Sequence, residues 1–245
     1  MTREQSINSP EHVQKMSLPV EFKDWLKPSE VGEHQTLYLV NTRLWIDQLS
    51  KKYHRQITID TIPNNEWDKL FEKYDYFWFM GIYAPSKASQ EHAKKWCHEF
   101  RYALPDLDPE KDVVASPFAI PEYVPNPKIA KNWQSWDKML NKLHRHGKKV
   151  MIDFVPNHTA LDAELAKSHP EYFIQGNLDQ YNSQPNFFYP VVANNGQTYY
   201  IAHGKDPNFP EWADTLQLNY GVPELHDEMT KQLLELSRHS DGVRC

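Results

Sequence analysis

The sequence predicts an α/β fold built on a parallel sheet, and three observations carry that prediction. The first is Val150-Met151-Ile152-Asp153-Phe154-Val155, an apolar run of strand length interrupted by one carboxylate. Such runs belong to strands covered on both faces, the usual condition in parallel sheets. The second is a repeat: three times along the chain a helical pattern passes into a buried strand through a very short turn. Alternation of strands and helices implies parallel pairing. The third is an asymmetry. The ways from strand to helix are longer, and two are very long, so one rim of the sheet carries the elaboration. In a (β/α)8 barrel that rim is the catalytic face. A doubly wound open sheet would show the same asymmetry less strongly. No Gly-x-Gly-x-x-Gly turn follows any strand, which disfavours its dinucleotide-binding version.

Residues 1–35 are polar, with Pro10, Pro19 and Pro28 spread through them, and read as an N-terminal extension. Residues 36–46, Thr-Leu-Tyr-Leu-Val-Asn-Thr-Arg-Leu-Trp-Ile, read as the first strand. Pro63-Asn64-Asn65-Glu66 marks a helix start with Asn64 as the N-cap candidate, and Trp67, Leu70 and Phe71 supply its buried face. Residues 75–83 form the second strand. A Pro-rich connection leads to about residue 130. Trp133, Trp136, Leu140 and Leu143 then recur on one helical face and are expected in the core. Gly147 stands where a helix ends in a left-handed turn. The third strand follows at once, and Pro156, which cannot donate to a ladder, is expected to stop it. Asn157 and His158 then project from its C-terminal end, where parallel sheets bind ligands. Asp153, inside the apolar run, needs a fixed partner, because an unpaired buried carboxylate is costly. Residues 159–221 form an inserted loop region. Pro223 suits the first turn of a helix lined by Val222, Leu225, Met229, Leu233 and Leu236. Residues 241–245 begin a fourth strand.

The composition excludes several classes of function. With 40% apolar and 24% charged residues in 245, the chain is that of a soluble globular protein. A net charge of −6 gives no reason to expect nucleic acid or an anionic membrane as partner. The two cysteines, Cys97 and Cys245, imply no disulfide framework. The polar start, Met1 to Lys15, lacks the apolar core of a signal peptide, and no run reaches spanning length, so a cytoplasmic location is expected.

Five stretches in order resemble the α-amylase family of glycoside hydrolases, also known as glycoside hydrolase family 13. Leu37 to Ser50 is similar to the family's first strand, and Asp75 to Ile82 to its second. Asp153-Phe154-Val155-Pro156-Asn157-His158 matches the family pattern D-x-V-x-N-H at every specified position. Trp212-Ala213-Asp214-Thr215-Leu216-Gln217-Leu218-Asn219 is similar to the short motif that ends in Leu-Asn, and Gly242-Val243-Arg244-Cys245 resembles the start of G-x-R-x-D. The resemblance spans residues 36–245. It implies the N-terminal half of a (β/α)8 barrel: strands one to three with their helices over 36–158, a short inserted region over 159–221, and a helix with the start of strand four over 222–245.

The activity implied by the resemblance is that of an α-retaining glycosidase or transglycosidase acting on α-linked glucans or glucosides. In such enzymes one carboxylate forms a covalent glycosyl-enzyme and a second protonates the leaving oxygen, the two about 5–5.5 Å apart. The resemblance implies that His158 hydrogen-bonds a sugar hydroxyl and that Arg244 lies beside the nucleophile and keeps it ionised. It implies that Asp153, Asn157 and Asn219 organise the site, and that Asn157 is a calcium ligand in some members; no other cofactor is expected. Phe118 stands where members have a sugar-stacking Tyr, keeping the ring and losing the hydroxyl. The nucleophile of G-x-R-x-D would be the residue after Cys245, and the other carboxylates would lie further on, so this chain is expected to hold substrate-side residues and no catalytic carboxylate. The alternatives are a non-catalytic carbohydrate-binding or remnant protein, a transglycosidase acting on sucrose or trehalose, and an unrelated open α/β domain. Without the motif, His158 and Arg244 would be ordinary surface residues; Tyr199, Tyr200 and Trp212 divide evenly between sugar stacking and loop packing, and Glu122, Asp162 and Glu164 read as solvated.

Overall fold

A computed structural model describes residues 35–245. The expected extension over 1–35 lies, except for its last residue, outside the described residues. The centre of the fold is a parallel sheet of four strands in sequential order: β1 (Leu37–Asn41), β2 (Tyr76–Met80), β3 (Lys149–Asp153) and β9 (Gly242–Arg244). The expected α/β class and parallel pairing are therefore observed.

Strand β1 is shorter than expected. The chain leaves it at Asn41, whose side chain caps α1 (Thr42–Lys52) by accepting from the Leu44 N–H. Thr42, Ile46 and Leu49 are the buried face of that helix, a spacing of four and three that belongs to a helix and not to a strand. The way out of this first strand is thus direct, against the long exit expected of every strand. Helix α2 (Asn64–Phe71) buries Trp67 and Phe71, but Pro63 holds the cap position and Asn64 is the first helical residue. The second strand stops at Met80 because Gly81 turns the chain at φ +75.

The connection from β2 contains three short helices, α3 (Lys87–Lys94), α4 (Cys97–Ala103) and α5 (Pro109–Asp112). Asp162 accepts from Ser86 Oγ and from the Lys87 and Ala88 N–H groups, so it anchors the start of α3 and is not merely solvated. Helix α6 (Trp133–Arg145) is capped by Asn132 and ends before Gly147 at φ +68. Trp136, Met139, Leu140 and Leu143 are buried, while Trp133 is half-buried and stacks on His239. Phe77, Phe79, Val150 and Ile152 fill the same layer between sheet and helices, each fully buried.

Strand β3 ends at Asp153, three residues before Pro156, although Phe154 and Val155 stay buried. Residues 159–221 are not a bare loop. His158 begins β4 (His158–Ala160), which pairs antiparallel with β8 (Thr215–Gln217). Between them lie α7 (Glu164–Ser168) and a three-stranded antiparallel sheet: β5 (Gln175–Gly176), β6 (Phe188–Val192) and β7 (Thr198–Ala202). Helix α8 (Leu178–Ser183) lies between β5 and β6 in the chain, and Tyr181 on it stacks on Tyr200 of β7. Helix α9 (Pro223–Leu236) buries Leu225, Met229 and Leu236 and leads into β9.

Candidate functional site

The parallel sheet brings Asp153 and Arg244 side by side at the C-terminal ends of β3 and β9. Asp153 is fully buried and every polar edge of it is engaged. Oδ1 accepts from the Trp78 indole at 3.0 Å, Oδ2 from the Gly81 N–H at 3.2 Å, and the backbone carbonyl from the Tyr83 hydroxyl at 2.6 Å. Burial raises its carboxyl pKa above the ordinary value, and the two side-chain hydrogen bonds and the Arg244 charge work against that rise. These partners supply what the sequence required of Asp153, a fixed set of donors for a buried carboxylate. Tyr83, buried and pushed well up by desolvation, stays a neutral donor. Tyr123 repeats the device two residues on: its hydroxyl accepts from the Val155 N–H at 2.9 Å and lies 3.2 Å from the Val155 carbonyl.

The Arg244 guanidinium lies over two aromatic rings, 5.4 Å from the centre of Trp78 and 4.9 Å from that of Phe118. Such contacts hold a cation by the ring quadrupole. One face of Phe118 is therefore engaged by Arg244 within the protein. Arg43, on the first turn of α1, braces the two segments that frame this pair, donating to the Gly81 carbonyl (3.2 Å) and the Ala115 carbonyl (2.8 Å).

His158 is 8% exposed. Its Nδ1 faces the Asn157 amide nitrogen at 3.1 Å, which can only donate, so Nδ1 is the unprotonated nitrogen. Burial lowers the imidazole pKa, opposed by the charge of Asp214 and the polarity of the Phe118 backbone, so the ring is neutral near pH 7. Phe118 joins the cluster by its ring, against which Arg244 lies, and its segment is tied to β4 by the Ala160 N–H donating to the Ile120 carbonyl at 3.0 Å. The Trp212 ring tilts against His158 at 5.1 Å. Gly204 presses on the other side: a Cβ there would lie 2.5 Å from Thr215 Oγ1 and 2.9 Å from His158 Cβ.

Asn157 is held by Gln217, whose amide nitrogen donates to the Asn157 carbonyl (2.8 Å) and to Oδ1 (3.1 Å). Calcium takes six to eight oxygen ligands. Here the oxygens of Asn157 already face N–H groups, and among the described residues no three acidic, His or Cys side chains gather to hold a metal. The residues present do not fit the calcium expected at Asn157. Asn219 shapes the turn into α9, its Oδ1 accepting from the Gly221 N–H at 3.0 Å. A cleft of about 210 Å³ between Ile120–Tyr123, α7 and α9 shares His158 with the cluster, but its lining includes neither Arg244 nor Phe118. Trp78, Tyr83, Gln217 and Arg43 were not singled out by the sequence. Their roles are fixed by contacts across 38 to 75 positions, which no local pattern encodes.

No protein-family model matches the chain. Over 121 residues it is 32% identical to an α-glucosidase of Culex pipiens, a match that takes in 46% of this chain and 21% of the relative. Among solved structures, an α-amylase from Lactobacillus plantarum superposes with a TM-score of 0.55 at 22% identity, over 86% of this chain and 38% of the other. An α-amylase from H. orenii gives 0.52 at 18% identity, covering 87% and 40%. MutB, solved in complex with its substrate sucrose, gives 0.54 at 16% identity, covering 86% and 34%. The chain thus spans about a fifth of the curated relative and less than half of each of these structures. The resemblance to the α-amylase family of glycoside hydrolases, first read from five stretches of sequence, holds both in sequence against an α-glucosidase and in fold against α-amylases.

Proposed function

We propose that the chain is the substrate-side part of an α-retaining glycosidase acting on α-linked glucans or glucosides. Its four parallel strands would be the first half of a (β/α)8 barrel. The observation that carries the reading is the gathering of Asp153, Arg244, Phe118 and His158 at one end of the parallel sheet, the end where barrels of this kind bind ligands. Each member has a chemistry suited to a sugar. Trp212 and Phe118 offer apolar ring surface, His158 offers a neutral imidazole, and Arg244 offers a cation that would keep a neighbouring nucleophile ionised. Asp153 serves as the buried anchor that fixes Trp78 and the Gly81 turn.

In this reading the side chains gathered at this rim hold the sugar, and the carboxylates that cleave the bond are not among them. The test is a titration of the purified chain with maltotriose, followed by the indole resonances of Trp78 and Trp212. Saturable shifts in the millimolar range that vanish in Arg244→Ala support the reading. Absence of any shift, or shifts that persist unchanged in Arg244→Ala, would overturn it. MutB, of similar fold, has sucrose as its substrate, so transfer from sucrose is the second reading. Sucrose shifting the same resonances at lower concentration than maltotriose would favour it.

A further inference from the structure

The misfit at Asn157 has a positive counterpart. Gln217 closes a ring of hydrogen bonds with Asn157 and Lys205. Its amide nitrogen donates to the Asn157 carbonyl (2.8 Å), to Asn157 Oδ1 (3.1 Å) and to the Leu218 carbonyl (3.3 Å). Its Oε1 accepts from the Lys205 N–H at 2.9 Å. Asn157 Nδ2 completes the ring by reaching the Lys205 carbonyl at 3.5 Å, and it also donates to His158 Nδ1. The orientation of the Gln217 amide is set by main-chain groups. A carbonyl on one side must meet N–H, and an N–H on the other must meet oxygen.

We infer that the Gln217 amide pins the strand carrying His158 to the 203–217 segment without a metal, occupying the place where a cation would otherwise bridge Asn157 to that segment. A cation could not join this arrangement. It would face the donor end of Gln217, and no carboxylate stands in the ring to balance its charge. The nearest in sequence, Asp206, spends Oδ1 on its own turn by accepting from the Asn208 and Phe209 N–H groups. The consequence for His158 is direct. Asn157 donates to its ring, and Gln217 holds Asn157, so the tautomer is set by a neutral side-chain network. The inference rests on these hydrogen bonds and not on a sugar ligand.

The test uses the full 245-residue chain. Its melting temperature is expected to be the same in EDTA and in millimolar CaCl2, with the side-chain NH2 resonances of Asn157 and Gln217 unmoved by calcium. Gln217→Met, similar in length but without hydrogen-bonding groups, is expected to melt about 2–8 °C lower and to speed exchange of the Lys205 amide. A rise in the wild-type melting temperature with CaCl2 beyond that given by MgCl2 would overturn the inference. So would a Gln217→Met protein with unchanged melting and unchanged Lys205 exchange. If that variant does not fold, the wild-type Lys205 amide decides alone: slow exchange supports the bond to Gln217, and exchange at the rate of an open loop refutes it.

Discussion

Tyr83 shows how a single hydroxyl can fix the level of a strand end. Its donation to the Asp153 carbonyl is buried on both sides, so Tyr83→Phe leaves that carbonyl without its partner and is expected to cost about 1–3 kcal/mol, read as a lower urea midpoint at unchanged slope. His158 gives a pH dependence whose sign follows from burial. Its pKa is lowered in the folded chain, so the unfolded chain binds more protons as the pH falls below the ordinary His value near 6.5. Stability contributed by the neutral ring is therefore complete above about pH 6.5 and is lost on acidification toward the folded-state pKa. The urea midpoint is expected to fall between neutral pH and mildly acidic pH, and His158→Gln is expected to flatten that fall. A variant with the same pH profile as the wild type would assign the effect to another group. At this scale the sequence is legible where chemistry forces an answer. A carboxylate inside an apolar run had to be paired, and it is; which indole and which N–H pair it could not be read, because Trp78 and Gly81 approach it from another strand.

Among the elements, those with the strongest periodicity were the most legible. The face of α6 and the Gly147 stop follow from spacing alone, and so does the inner face of α9. Residues 36–46 misled because Leu, Val, Trp and Ile suit a strand as well as a helix. The outcome was decided by Asn41, which caps the helix, and by the burial of Thr42, Ile46 and Leu49 on one helical face. The inserted region was the least legible part. Its strands are two to five residues long and β4 pairs with β8 some sixty positions away, so the pairing leaves no local trace. Gly204 holds that pairing against β7, and the space it occupies predicts a sharp cost. A methyl group there would overlap Thr215 Oγ1 and crowd His158. Gly204→Ala is expected to destabilise by about 1–3 kcal/mol and to shift the His158 ring resonances, whereas Gly196→Ala, in an open turn with no atom near the added carbon, is expected to leave those resonances in place.

At the scale of the whole molecule, the decisive feature is a sheet that the described residues cover on one face. Val40, Phe77, Phe79, Val150 and Ile152 face the helices and are buried, while Leu37 and Leu39 on the opposite side of β1 are 51% and 44% exposed. The register places Leu39 beside Trp78 and Met151, so these residues form one apolar row across the open face. Among the described strands β1 and β9 are the sheet edges, and unpaired edges beside exposed apolar surface recruit further strands. The purified 245-residue chain is therefore expected to self-associate, eluting ahead of a monomer in size-exclusion chromatography with light scattering. Leu39→Lys puts a charge into the open row without emptying the core, because the side chain is already half in water. It is expected to move the chain toward monomer with little change in melting temperature. A wild-type chain that stays monomeric as its concentration is raised would mean that the open face is tolerated by water, and the reading of this sheet as part of a larger closed one would lose its physical motive.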